Sequence, residues 1–154
     1  MDLSVSRTVE LPQPLPAVWR AAATIENLPR TFGPVAPIPG VRAAEVQGGG
    51  DLAPGKVRLV HLTDGSTSRE EILELQTEER HTYRLMDLPP PFSWLVRHAV
   101  SDWRFAAAGT GARIDWTYTF TLTTPLAWPF ARIAVWLFGR AMDGNIAGIK
   151  RILG

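Results

Sequence analysis

Apolar residues alternate strictly through Ile114, Trp116, Tyr118, Phe120 and Leu122, and Thr117, Thr119 and Thr121 take the positions between them. A period of two is that of a strand with one buried face. After Thr123-Thr124-Pro125 the period becomes that of an amphipathic helix, from about residue 129 to 153. This handover predicts a curved sheet gripping a long terminal helix, with room for a pocket between them.

The rest of the chain supplies six more strands. Leu3, Val5 and Val9 alternate with Ser4, Ser6 and Thr8 in the first, which stops at Pro12, Pro14 and Pro16. Residues 16–23 read as a short helix with Pro16 near its first position. Residues 25–31 read as a second, with Thr24 as its cap and Pro29 limiting its length. Strands follow over 35–47 (irregular and proline-rich at its start), 56–62, 68–76, 81–87 and 96–107. Turns at Gly48-Gly49-Gly50-Asp51, Asp64-Gly65, Thr77-Glu78-Glu79-Arg80 and Gly109-Thr110-Gly111 close them. Leu88-Pro89-Pro90-Pro91-Phe92 is a stiff apolar connection. No repeat, low-complexity tract or linker interrupts the pattern, so one domain over 1–154 is expected. The predicted fold class is α+β: a helix-grip fold with a seven-stranded curved antiparallel sheet, two short helices, and a long C-terminal helix over its concave face.

Opposite residues of an antiparallel pair share a face, so turn lengths decide which parities point inward together. Even positions face inward on the last strand. A two- or four-residue turn around Thr110-Gly111 then puts Ser101, Trp103, Phe105 and Ala107 inward, and His98, Asp102 and Arg104 outward. Three-residue turns, Glu78-Glu79-Arg80 and Thr63-Asp64-Gly65, carry the odd parity back through His81, Tyr83 and Leu85, then Arg69, Glu71, Leu73 and Leu75, then Val57, Leu59 and His61. A two-residue Asp64-Gly65 turn would reverse the last of these strands. Burying an unpaired charge is costly, so Arg69 and Glu71 must pair, lie at a wet rim, or point outward after all. His61 and His81 read as rim residues or satisfied core groups before they read as catalytic bases.

On a helical wheel, Phe130, Ile133, Leu137, Ala141, Gly144 and Gly148 form one stripe, opposite Arg132, Asp143 and Lys150. Val135, Phe138, Met142, Ile146 and Ile149 widen the apolar arc. Gly139, Gly144 and Gly148 each cost ~1 kcal/mol relative to alanine in a helix interior. They mark either a close approach to the sheet or volume left for a ligand. Phe92, Trp94 and Leu95 belong at the same end of the meander as Leu126, Trp128 and Phe130. Together they form a candidate apolar mouth for ligand uptake, membrane contact or self-association, against the plainer reading of a mini-core under a loop.

Composition narrows the chemistry. A net charge of +1 over 154 residues, with lysine and arginine scattered, makes no case for nucleic acid. The absence of cysteine excludes disulfides, thiol nucleophiles and zinc–thiolate sites. The three histidines lack metal-ligand spacing, and no phosphate loop, nucleophile elbow or zinc motif occurs. No metal or cofactor is therefore expected. Met1 to Arg7 lacks the features of a signal peptide. The most apolar segment, 127–138, is interrupted by Arg132 and falls short of the ~20 residues of a membrane span. The expectation is a soluble, cytoplasmic protein.

Pro16-Ala17-Val18-Trp19 after the first strand, Gly55-Lys56-Val57 opening the third and Glu70-Glu71-Ile72 in the fourth carry a family resemblance. Gly111-Ala112-Arg113-Ile114-Asp115-Trp116 and the terminal helix complete it. Nearly the whole chain resembles the START-like, Bet v 1-like (SRPBCC) superfamily, in its polyketide cyclase/dehydrase and lipid-transport-like branch. That resemblance implies a fold shared by ligand carriers, cyclases and regulators.

The expected function is binding of a small hydrophobic or aromatic molecule, lipid- or polyketide-like, in a pocket of ~300–1,000 Å³. Tyr83, Trp103, Phe105, Trp116, Tyr118 and Phe120 would line it, and Phe130, Ile133, Leu137 and Ala141 would face it from the helix. Phe92 and Trp94 would stand at its mouth, and Ser101, His81 and the tyrosines would orient the ligand's polar atoms. The resemblance also permits an aromatic polyketide cyclase or dehydratase, with His81 or Glu71 as base and Tyr83, Tyr118 or Arg69 as donor. A third reading is a protein- or membrane-docking regulatory module with a collapsed cavity. The expected partners are a small hydrophobic molecule and, through the mouth, a second copy in a homodimer or a transiently touched membrane.

Overall fold

The structure, a computed structural model, describes residues 1–154. β1 (Asp2–Leu11) leads into α1 (Leu15–Ala23), a 3-10 turn (Ile25–Asn27) and α2 (Leu28–Thr31). β2 (Val41–Val46), β3 (Val57–Leu62), β4 (Thr67–Gln76) and β5 (Arg80–Met86) follow. The one-turn α3 (Phe92–Leu95) precedes β6 (Val96–Ala108) and β7 (Gly111–Leu122), and α4 (Trp128–Leu153) ends the chain. The strands form one antiparallel sheet in the order β1-β7-β6-β5-β4-β3-β2. β1 joins it out of sequence, pairing with β7 from Asp2↔Thr121 to Leu11↔Ala112. This is the α+β helix-grip architecture read from the hydrophobic pattern.

Two local elements differ from expectation. β2 begins at Val41 because Val35 and Ile38 bond to each other through both backbone N–H groups, at 2.9 and 2.8 Å. Pro34, Pro37 and Pro39 have no N–H to give a ladder there. The stiff connection after β5 closes into the turn of α3.

Register decides which side chains reach the interior. On β7, Ile114, Trp116, Tyr118, Phe120 and Leu122 are buried, and on β6 so are Ser101, Trp103 and Phe105. Ala107 shares their parity but lies exposed near the end of β6. On β5, His81, Tyr83 and Leu85 point inward. On β3 and β4 the parity is the reverse of the expected one. Both turns have three residues: Thr63-Asp64-Gly65, with Gly65 left-handed at φ +89°, and Thr77-Glu78-Glu79. The reversal comes from a bulge at Leu73. Leu75 opposes His81 on one side of it, but Ile72 rather than Leu73 opposes Tyr83 on the other.

One extra residue moves every later side chain to the other face. Ser68, Glu70 and Ile72 are therefore buried, and so, through the β3–β4 register, are Arg58, Val60 and Leu62. Val57, Leu59, His61, Arg69 and Glu71 lie on the outer face. There Arg69 pairs with Asp87, and Glu71 pairs with Arg84 at 2.9 Å. His61 contacts Thr67 and Glu45 at 3.0 and 3.2 Å.

The stripe that α4 buries is rotated from the one read on the wheel. Ala131, Val135, Phe138, Met142, Asn145 and Ile149 face inward with Ala141, whereas Phe130 and Ile133 are exposed and Leu137 is half-buried. The glycines explain the rotation. A Cβ on Gly148 would sit 2.7 Å from both Cα and O of Thr31. One on Gly139 would sit 2.7 Å from an Arg7 nitrogen and 3.2 Å from Val5. These glycines mark close approach to α2 and β1, not volume for a ligand. Asp143 fastens the same contact by accepting from Arg7 Nε at 2.6 Å. No helix is long and apolar enough to cross a membrane.

Gly148→Ala should destabilise the protein by roughly 1–3 kcal/mol through overpacking against backbone, despite the helix propensity it gains. Gly144→Ala meets only a Val35 methyl, at 3.4 Å, and should be neutral or stabilising by up to about 1 kcal/mol. Urea denaturation of the two variants checks this contrast.

Candidate functional site

Between α4 and the β6–β7 part of the sheet the interior is full. Trp103 and Trp116 stack with ring centroids 3.8 Å apart, and Phe105 stacks on Trp103 at 6.0 Å. Trp19 of α1 meets Phe105 at a steep angle, 4.9 Å away. Tyr118 and Phe120 both pack against Phe138 of α4, at 4.7 and 5.1 Å. The Trp116 indole N–H donates to Ser101 Oγ at 2.9 Å. Trp103, Phe105, Trp116, Phe120 and Ser101 are thus packed into one another.

The open space lies to the side, over β3, β4 and β5. A cavity of about 70 Å³ is bounded by Val60, Leu62, Glu70, Tyr83, Leu85 and Tyr118, and roofed by Leu28, Phe32, Ile38, Phe92 and Phe138. It is much smaller than the ~300–1,000 Å³ of a drug-sized pocket, and smaller than the ~150 Å³ void that admits benzene. A ligand of that size must displace part of the lining. Leu28, Phe32, Ile38 and Phe92 belong to short segments outside the sheet, where local opening costs least.

One wall is polar. Arg58 Nε and Nη2 lie 2.7 and 2.6 Å from the same oxygen, Glu70 Oε1, with side chains only 2% and 9% exposed. Glu70 Oε2 is left with no protein partner. The guanidinium carbon sits 4.8 Å from the centroid of the Tyr83 ring. Burial opposes the Arg58 charge, but Glu70 outweighs it and holds the pKa above its ordinary value. The Tyr83 and Tyr118 hydroxyls are 3.1 Å apart, and the Trp103 N–H donates to Tyr83 Oη at 3.4 Å. Burial pushes both tyrosines up, Tyr118 well above its ordinary value, so both hydroxyls stay protonated and can donate.

Tyr83, Leu28 and Phe32 also border a second void of about 10 Å³, the size of one water, which Arg58, His81 and Asn145 complete. Both ring nitrogens of His81 and the Oδ1 of Asn145 are buried without a protein partner. Burial, reinforced by Arg58, pushes His81 down to about 3. The ring is neutral at ordinary pH and a poor general base.

The residues singled out from sequence therefore separate into groups. Tyr83, Phe92 and Tyr118 line the cavity, and His81 lines the small void. Arg69 and Glu71 are outside, and Ala141 is buried within the helix contact. Trp94 is exposed. Phe130, Ile133 and Leu137 join Phe92 and Leu95 in a surface groove of about 200 Å³. The two halves of the expected mouth do meet, since Thr123 Oγ1 donates to Trp94 O at 3.0 Å and Thr123 N to Leu95 O at 3.0 Å. Arg58 and Glu70 fall on the parity expected to face outward; the one sequence signal against that placement is the adjacent apolar pair Ile72-Leu73, which breaks strict alternation where the bulge falls. No group of three or more metal-ligating side chains converges.

Arg58→Met alone should cost about 3–5 kcal/mol, because it strands a buried carboxylate, and Arg58→Met with Glu70→Leu should recover most of that loss. A double-mutant cycle in urea measures it. His81 stays neutral in the fold down to about pH 3, while the unfolded chain protonates near 6.5. The unfolded state binds the extra proton between those values, so stability present above pH 6.5 is lost as pH falls. The loss from pH 6.5 to 4.5 should be roughly 2 kcal/mol. Denaturation at several pH values should show this slope and its disappearance in His81→Leu.

Over residues 2–154 the chain matches the family described as polyketide cyclase / dehydrase and lipid transport. No curated protein matches it in sequence. Solved structures with a similar fold include Ara h 8.0201, at 15% identity and TM-score 0.71 over 99% of both chains. Protein MLL2253 from Mesorhizobium loti has 12% identity and TM-score 0.74, over 98% of this chain and 96% of that one. Norcoclaurine synthase from Thalictrum flavum, in complex with dopamine and hydroxybenzaldehyde, has 10% identity and TM-score 0.71, over 99% and 87%. At such identities the likeness is one of fold, the Bet v 1-like helix-grip. The family match leaves out only Met1, and the chain belongs to the polyketide cyclase/dehydrase and lipid-transport family of the SRPBCC superfamily.

Proposed function

We propose that the protein binds a small apolar or aromatic molecule carrying one hydrogen-bond donor, in the cavity over β3, β4 and β5. The observation that carries this reading is the Glu70 carboxylate, which Arg58 engages through Oε1 alone and which lines a largely apolar cavity together with two protonated tyrosines. A carboxylate facing a largely apolar cavity is poorly solvated there, and a ligand hydroxyl or amine would supply the donor that the apolar lining does not. The apolar remainder of the lining selects the rest of the molecule by shape. A lipid- or polyketide-derived compound with a hydroxyl or enol at one end fits this description. Of the two molecules held by norcoclaurine synthase, hydroxybenzaldehyde, an aromatic ring with one hydroxyl, is of the same kind.

A cyclase or dehydratase reading is favoured by the paired tyrosines. Glu70 would take a proton from a carbon acid, and Tyr83 or Tyr118 would donate to the enolate oxygen that forms. His81, neutral and outside the cavity, has no part in that step. A pH–rate profile for such a reaction should carry no limb near 6.5.

Phenol and toluene have nearly the same shape and separate the donor from the apolar body. Calorimetric titration should show phenol binding roughly tenfold more tightly, since the hydrogen bond has a charged acceptor. Arg58→Met with Glu70→Leu, which removes the acceptor together with its partner charge, should erase that preference, and Val60→Phe, which fills the cavity, should abolish binding of both. Equal binding of the two compounds, or binding unaffected by Val60→Phe, would refute the proposal.

A further inference from the structure

The outward face of α4 changes character halfway along. Trp128, Phe130, Ile133 and Trp136 are 37%, 66%, 60% and 61% exposed, whereas the outward positions beyond them are Asp143, Lys150 and Arg151. Trp94 and Leu126, at 72% and 85%, extend the apolar surface beside the helix start. Three tryptophans laid open to water on one end of a small domain are not required by the packing beneath them. Apart from Arg132 and Arg140, the first half of α4 is apolar on its outward face as well as its inward one, which in a helix signals a second buried face.

Charge says what covers that face. Segments 88–100 and 123–142 contain Arg97, Arg132 and Arg140 but no Asp or Glu. All three arginines are exposed, and none forms an ion pair, although many arginines elsewhere do. The Arg132 and Arg140 guanidinium carbons lie 4.8 and 5.6 Å from the Trp128 and Trp136 ring centroids. A second copy of the chain in a two-fold dimer would bring a further set of arginines to this surface, while the carboxylates beside it are already engaged, Asp143 by Arg7 and Asp2 by Thr121. Tryptophan beside unpaired arginine is the composition of a helix lying in a lipid interface, with its rings at headgroup depth and its cations at the phosphates.

We infer that this face docks on the surface of an anionic lipid bilayer. Trp94, Trp128, Phe130, Ile133 and Trp136 enter the headgroup–acyl boundary, and Arg132 and Arg140 meet lipid phosphates. The groove of Phe130, Ile133 and Leu137 then opens toward the acyl chains. Phe92 is a wall of both that groove and the internal cavity, so the docked face adjoins the pocket at this side chain. The docking rests on surface residues alone and does not depend on what the cavity binds.

Partition into vesicles of phosphatidylcholine, with and without phosphatidylglycerol, tests it by flotation, with tryptophan quenching by brominated acyl chains as the depth readout. The protein should bind the anionic vesicles, release as salt rises, and show quenched tryptophans. Arg132→Gln with Arg140→Gln should weaken partition about 25-fold, at roughly fivefold per arginine. Phe130→Ser with Trp136→Ser should abolish it while leaving circular dichroism and phenol binding unchanged. No partition at low salt, or equal partition into neutral vesicles, would overturn the inference. So would a lipid-free dimer in sedimentation whose tryptophans resist acrylamide.

Discussion

Arg58 and Glu70 stand directly opposite each other on β3 and β4, and the interior is arranged around their pairing. Desolvating two ions costs several kcal/mol each, and only tight geometry offsets it. A one-residue slip of either strand would turn one partner out to solvent and leave the other stranded. The pair therefore ties register to stability across the half of the sheet that carries the cavity. It also divides the space: Glu70 borders the larger, mostly apolar cavity, Arg58 borders the small void with His81 and Asn145, and Tyr83 borders both. The carboxylate gives the cavity its acceptor. The guanidinium, together with burial, keeps His81 uncharged.

The location of the cavity follows from how α4 is held. Gly139 and Gly148 let the helix close against β1 and α2, and the tryptophan and phenylalanine rings of β6 and β7 occupy the concave face next to it. Of the helix, only Phe138 reaches the cavity wall. The remaining boundary comes from α2, the loop before β2 and the connection into α3. Sheet and terminal helix form the cavity's base, and the short elements form its cover.

Strict alternation made β7 and β6 legible, because the two parities there differ sharply in apolar content. On β3 and β4 they do not. Arg58 with Glu70 on one parity mirrors Arg69 with Glu71 on the other, and Val60 with Ile72 mirrors Leu59 with Leu73. Charge and hydropathy were therefore consistent with either face, and a single bulged residue settled the choice. The helix stripe failed for a related reason. Alanines and glycines mark the closest contacts, but they weigh little on a wheel beside Phe130 and Ile133. Nor does aromatic composition separate rings that line a cavity, such as Tyr83, from rings that stack on each other, such as Trp103 and Trp116.

The same weighting hides why α4 is so apolar. Gripping the sheet needs one face, and residues 131, 135, 138, 142, 145 and 149 supply it. Beyond Asp143 the other face is polar, as water demands. Before it, the outward face keeps a phenylalanine, an isoleucine and two tryptophans, where polar residues would serve the fold equally well. Exposed apolar area of this kind lowers solubility and adds nothing to the core. It adjoins Phe92, a side chain that borders both the outer groove and the inner cavity. The outer groove and the inner cavity thus share one wall, and Glu70, held by Arg58, bounds the cavity on its polar side.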